Sequence, residues 1–218
     1  DLDGDGRNDL LVGAPNEDPA GPDSGAVYVF STGTSNVLHF LAGTNAGDKF
    51  GSTLVSVGDT DLDSIPDFLV GSPDETSSAL TAAGSARLYS GANANALGAW
   101  FGTNADARFG SALCPIGDRD ADGRADFAIG APGDISGGGP ACGRVELRSG
   151  ANGSLFLGMN GAPGTALGAS LSALGDINSD GFCDLLVGAP DAPIGGATLL
   201  FSGLNAALLG ILQPTAEL

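Results

Sequence analysis

The chain has 218 residues, with 37 Gly, 12 Pro, 26 acidic side chains against 8 basic ones, a single His and a formal charge of −18. A hydrophobic fraction of 42% is ordinary for a folded protein, so the glycine excess does not signal disorder, and it follows no collagen-like period. The charge argues against nucleic acid and anionic lipid as partners, which need a basic footprint, and no apolar run approaches the ~18 residues of a membrane-spanning helix.

In chain order, the first element is an acidic segment with Asp at positions 1, 3, 5 and 9, followed by the apolar run Leu10 to Val12 and then Gly-Ala-Pro15. An alternating segment, Ala26 to Ser31, comes next, and then Phe50-Gly-Ser52. The acidic pattern returns at Asp59, Asp118 and Asp176, at intervals of 58, 59 and 58 residues. Phe50-Gly-Ser52 recurs as Phe109-Gly-Ser111 and, degraded, as Leu167-Gly-Ala169. The alternating segment recurs as Ala86 to Ser90, Val145 to Ser149 and Thr198 to Ser202. A long period of this kind means stacked or radial units.

Each unit reads as four strands. In the second they are predicted at Gly51 to Val57, Phe68 to Val70, Ser85 to Tyr89 and Leu97 to Phe101, separated by Gly, Asn, Pro and Asp turn formers. No window sustains a helical apolar period. The expected fold is therefore all-β: propeller blades of four antiparallel strands, about four repeats, the first lacking its innermost strand. The units are placed at 1–49, 50–108, 109–166 and 167–218, with acidic loops at 1–9, 59–67, 118–126 and 176–184.

The acidic loops carry the chemistry. In D-x-D-x-D-G-x-x-D, carboxylates at alternate positions converge when the chain curls, position 7 can offer its carbonyl, and the last Asp can close the shell. Hard oxygen ligands at flexible geometry suit calcium better than magnesium. Position 12 is Val12, Val70, Ile129 or Val187 rather than the Glu of an EF-hand, so these are loops between strands. In the second loop Ser64 stands where Gly would bend the chain, and Pro66 follows; the fourth replaces one carboxylate by Asn178.

Phe-Gly, the acidic loop, three apolar residues and Gly-Ala-Pro together resemble the FG-GAP repeat of integrin α-subunit β-propellers, over essentially the whole chain, and the expected source is a bacterial surface or secreted member. The resemblance implies that each loop joins the first and second strands of its blade and holds one Ca²⁺, up to four in all. By position the ligands would be Asp1, Asp3, Asp5, the Arg7 carbonyl and Asp9; Asp59, Asp61, Asp63, the Ile65 carbonyl and Asp67; Asp118, Asp120, Asp122, the Arg124 carbonyl and Asp126; and Asp176, Asn178, Asp180, the Phe182 carbonyl and Asp184. Fifteen of the acids are accounted for in this way. Ligands and partner subunits in that family usually meet the opposite face. The family usually closes seven blades, and similar repeats occur in fungal lectins and a secreted phospholipase, so fold alone names no partner.

Three function classes follow. The first is a secreted or cell-surface binding or adhesion module, with protein contacts in the variable loops Asn16 to Ser24, Asp74 to Ala83 and Gly133 to Cys142. The second is a lectin. The third is a structural subunit that self-associates or takes a strand from a companion chain. No enzyme is expected, because His39 alone provides no triad and it reads as an outward residue of a strand. Phe50, Phe109, Leu167 and Trp100 read as core. Cys114 and Cys183 read either as a disulfide between successive blades or as free thiols, and Asn152 to Ser154 forms a glycosylation sequon in a hairpin turn.

Overall fold

The computed structural model describes residues 1–213. Fifteen strands form four antiparallel sheets, and no helix occurs among the described residues. The first sheet holds β1 (Leu10–Ala14), β2 (Ala26–Phe30) and β3 (Val37–Ala42). The second holds β4 (Thr53–Gly58), β5 (Asp67–Ser72), β6 (Ser85–Tyr89) and β7 (Ala96–Phe101). In the third are β8 (Ala112–Gly117), β9 (Asp126–Ala131), β10 (Arg144–Arg148) and β11 (Leu155–Asn160). The fourth has β12 (Ser170–Gly175), β13 (Asp184–Ala189), β14 (Ala197–Phe201) and β15 (Leu208–Leu212).

Within each sheet the strands follow chain order, and the first strands β4, β8 and β12 neighbour one another. The sheets are thus the blades of a partial β-propeller, with the first strand innermost. In the first blade β1 occupies the second-strand place, directly after its acidic loop, and pairs only with β2.

The blades repeat in detail. The register of each innermost strand slips one residue before its loop, between Ser56 and Gly58, Pro115 and Gly117, and Ala173 and Gly175. That bulge turns the chain out of the sheet and into the curl. Pro115 is tolerated because β8 lies at a sheet edge, where no partner needs its missing N–H.

The core lies between blades. Val27, Phe50, Phe68 and Tyr89 fill the first interface, Leu69, Leu88, Phe109 and Ile129 the second, and Val145, Leu147, Leu167 and Val187 the third. All six residues of β5 and of β9 are buried, since a blade covers each face, whereas β1 is only half-buried. Phe50, Phe109 and Leu167 therefore stand in the core, as expected. Trp100 packs on Phe127 with ring centroids 5.1 Å apart.

A parallel clasp joins each blade to the next. Gly25 pairs with Phe50, Gly84 with Phe109 and Gly143 with Leu167. These glycines have φ of 83°, 78° and 78°, and a Cβ would lie 2.2, 2.3 and 2.1 Å from the facing carbonyl oxygen. Only glycine meets both demands.

One expectation changes here, and one open alternative closes. His39 does not face outward: it is half-buried, and its Nε2 lies 3.0 Å from the Gly91 carbonyl oxygen in the next blade. The three cysteines are free thiols, with no disulfide between Cys114 and Cys183. Burial pushes the Cys114 thiol up to about 11, so it stays protonated at neutral pH.

Candidate metal centres

Each acidic loop curls by placing positions 4 and 6 in the left-handed region. Gly4 and Gly6 have φ of 76° and 86°, Ala121 and Gly123 58° and 87°, and Ser179 and Gly181 64° and 89°. The second loop does the same without glycine, with Leu62 at 69° and Ser64 at 71°. The absence of Gly at position 6 leaves the curl in place and makes it strained, since a side chain there crowds the backbone.

Side-chain carboxylates hold the curl by accepting backbone N–H groups. Asp1 accepts from Gly4 (2.8 Å) and Gly6 (2.8 Å), Asp59 from Leu62 (2.6 Å) and Ser64 (2.8 Å), and Asp118 from Asp122 (3.1 Å) and Gly123 (2.8 Å). The carboxylate at position 5 accepts from position 7 in every loop, as from Arg124 to Asp122 at 2.9 Å. With the amides turned inward onto carboxylates, oxygens gather at the centre of the loop.

Three groups result. Asp1, Asp3 and Asp5 form one, Asp59, Asp61 and Asp67 another, and Asp118, Asp120 and Asp122 the third, each offering ligand oxygens within 4.8 Å of one another. All-oxygen, flexible and multiply anionic donor sets of this kind fit a hard divalent cation, calcium before magnesium. The fourth loop differs. Asp180 there accepts from Asn178 Nδ2 (2.8 Å) and from Ser202 Oγ (2.7 Å), which hold its carboxyl below the ordinary value, the Ser202 bond being the largest influence.

The position-9 aspartates prove to be pins that tie loop to sheet. One oxygen accepts the N–H of position 2, from Leu2 (2.7 Å), Thr60 (2.7 Å), Arg119 (2.7 Å) and Ile177 (3.0 Å). The other accepts from the turn between third and fourth strands, at Thr32 (3.2 Å), Gly91 (2.9 Å), Gly150 (2.9 Å) and Gly203 (3.1 Å). Asp67, Asp126 and Asp184 are fully buried. Burial raises the Asp67 and Asp126 carboxyls despite these bonds. At the half-buried Asp9, burial also pushes upward, but the N–H bonds from Leu2 and Thr32 outweigh it and leave the carboxyl below its ordinary value.

The turn partner was missed in reading the sequence. Ser-Gly-x-Asn recurs at Ser90, Ser149 and Ser202, which lie 23, 23 and 18 residues after the position-9 Asp of the acidic loop before them. Its glycine is obligatory: a Cβ on Gly91, Gly150 or Gly203 would lie 2.1, 1.9 or 2.0 Å from the carbonyl oxygen of Pro66, Ala125 or Cys183. In the first blade Thr32 replaces it, and its hydroxyl instead donates to Asn8 O at 2.8 Å.

Fold and loops together define a β-propeller whose blades carry an acidic loop at the first turn. The chain carries FG-GAP repeats: the model of that family, described as FG-GAP repeat, matches residues 1–30 and 167–200. Human integrin alpha-IIb is 38% identical over 166 residues, covering 70% of this chain and 16% of the integrin. Chicken (Gallus gallus) integrin alpha-V is 30% identical over 210 residues, 87% of this chain and 19% of the integrin. Mouse phosphatidylinositol-glycan-specific phospholipase D is 32% identical over 148 residues, 61% of this chain and 17% of that protein. This chain thus spans less than a fifth of each of these relatives. They are vertebrate proteins and lend no support to a bacterial source. Among solved structures, BBS1N in complex with ARL6DN matches with a TM-score of 0.56 at 12% identity, over 99% of this chain and 55% of the other, a likeness of fold alone.

Proposed function

We propose that this chain is an extracellular, calcium-stabilised propeller segment that binds a protein ligand on the face opposite its acidic loops. The observation that carries the reading is the recurrence of a carboxylate triple at the same place in three successive blades. At Asp1, Asp3 and Asp5, at Asp59, Asp61 and Asp67, and at Asp118, Asp120 and Asp122, the chain would supply the oxygens. Asp63, Asp176, Asn178 and Asp180, with the carbonyls of Arg7, Ile65, Arg124 and Phe182, are the further ligands. Asp9, Asp126 and Asp184, at position 9 like Asp67, would close their shells while pinning the loops in place.

A bound Ca²⁺ would neutralise the clustered charge. Extracellular modules bind calcium with Kd of about 10⁻⁴–10⁻³ M, so at about 1 mM calcium each site adds roughly 0.4–1.4 kcal/mol. Four sites contribute about 2–6 kcal/mol, which is comparable with the net stability of a domain.

Binding is favoured over catalysis because the one His is committed to the Gly91 carbonyl. A protein ligand is favoured over a sugar because the Trp100 ring covers Gly98 and Gly153 and packs at a tilt against Phe127, leaving no open aromatic platform there. The loops between second and third strands, at the end of the blades away from the acidic loops, differ in sequence while their flanks repeat. Isothermal titration with CaCl₂ and melting with and without a chelator test the first half of the reading. Saturable binding and a loss of roughly ten degrees or more on chelation are expected; a melt indifferent to chelator removes calcium from it.

A further inference from the structure

The four loops are not linked to one another equally. Loop 118–126 reaches both of its neighbours. Its Ala125 N–H donates to the Asp59 carbonyl oxygen at 3.0 Å, and its Arg124 guanidinium donates to the Thr60 carbonyl oxygen. Arg124 is also the position-7 residue of its own loop, and Asp59 is the position-1 residue of the loop before. Shaping one loop around a cation therefore fixes the donors that hold the other.

On the opposite side, Arg119 donates from Nε and Nη2 to the Gly203 carbonyl oxygen at 3.1 and 3.0 Å, and from Nη2 to that of Leu204 at 2.9 Å. Gly203 is the turn residue that pins Asp184. The guanidinium also lies 4.9 Å from the ring centroid of Phe182, the position-7 residue of the fourth loop, and 5.1 Å from that of Phe156. The Arg119 backbone N–H meanwhile donates to Asp126 of its own loop. One residue thus grips the pins of two loops.

The first loop has no such link. No hydrogen bond joins it to the second loop among the described residues, and the two meet through the apolar side chains of Leu2 and Ile65 beside Gly91. His39 does hold the Gly91 carbonyl, but from β3, away from the first loop.

We infer that loops 59–67, 118–126 and 176–184 form a coupled array in which Arg119 and Arg124 transmit loop order, so that calcium at the third site tightens calcium at the second and fourth, while the first site fills independently. This inference rests on the calcium reading above. Couplings between sites are commonly 5-fold or more in affinity, and linkage makes the effect reciprocal.

The test is calcium titration calorimetry on the whole chain and on loop-silenced variants, with melting at saturating calcium as the check that each is folded. Asp120→Lys, which sets an ammonium among the carboxylates, should remove one site and weaken two of the remaining three by about 5-fold. Asp3→Lys, silencing the first loop, should remove one site and leave the rest unchanged. Arg119→Gln and Arg124→Gln should keep the full stoichiometry and bring a Hill coefficient above 1 down to about 1, with Arg124→Lys retaining part of the coupling. If Asp120→Lys removes one site and leaves the other affinities intact, the array is overturned while the calcium reading stands. If no variant and not the parent chain binds calcium, both fall.

Discussion

At the scale of single residues, the loop aspartates divide into two kinds that the sequence writes identically. Those at positions 1, 3 and 5 are mostly exposed and face one another, whereas Asp126 is buried with both oxygens accepting backbone N–H groups. Asp126→Asn would place an amide NH₂ against one of those donors, leaving buried groups unpaired at a cost of about 1–3 kcal/mol. The loss should appear in chemical denaturation with chelator present. Asp120→Asn should cost little under the same conditions, because its role is towards the cation.

The pins also set a pH dependence. Burial raises the Asp67 and Asp126 carboxyls above the ordinary value near 3.8, so the folded chain binds protons more readily than the unfolded one. Their contribution is fully present below the unfolded value and is lost as pH rises through the raised one. Relief of repulsion among the other acids acts in the same direction. Calcium-free protein should therefore melt higher at pH 5 than at pH 7.5. Calcium-loaded protein should show the reverse order, since protons compete with the cation for the carboxylates. Calorimetric melts at the two pH values, with and without chelator, check both signs.

At the scale of elements, strand content and order were legible because the repeat shows each segment three or four times. The third strand of the second blade is found at Ser85–Tyr89 as expected, and the fourth begins one residue early, at Ala96. Errors cluster at glycine. Gly51 was read into the first strand, but it has φ of 88° and pairing starts at Thr53. The expected second strand ends at Val70, yet Gly71 and Ser72 also pair with the third strand, Gly71 with Ala86 and Ser72 with Ser85. Composition cannot separate a glycine that turns the chain from one that lets another backbone approach. At Gly71 a Cβ would lie 2.3 Å from the Gly110 carbonyl oxygen, so the residue is chosen for proximity.

The acidic loops themselves were legible from spacing, and the ligand role of their positions is part of the proposal above. The pinning role of position 9 was not legible, because its partner turn lies 19 to 24 residues away and becomes visible only once the strands are paired. The Phe-Gly landmark was legible as core, and its weight can be measured. Phe109 is 4% exposed at the second interface, and Phe109→Ala should cost about 3–5 kcal/mol in equilibrium unfolding.

At the scale of the whole molecule, stability is a chain of neighbour contacts, each blade touching the next through its own small core. Such architectures open locally rather than all at once. Hydrogen exchange should therefore be graded. The buried strands β5 and β9 should exchange slowest, and β1, which pairs on one side only, on the order of 100-fold faster. Uniform protection across the blades would instead mark a single cooperative unit. Among the described residues, sixteen large apolar side chains are left exposed, four of them in the five-residue β15, so the last blade belongs with β1 at the labile end of the scale.

The clasps Gly25–Phe50, Gly84–Phe109 and Gly143–Leu167 give this architecture a grammar. Each joint between blades is made in the same way, by a glycine of one unit and the opening residue of the next. A gene duplication or deletion of one whole period, cut anywhere within the unit, would bring matching clasp halves together and leave the junction intact. Duplication of part of a unit could leave a Phe or Leu without its glycine, whereas a small change in loop length, such as the 59-residue spacing among those of 58, leaves the clasps formed. Near-constant spacing is thus what allows such a chain to grow or shrink by whole blades.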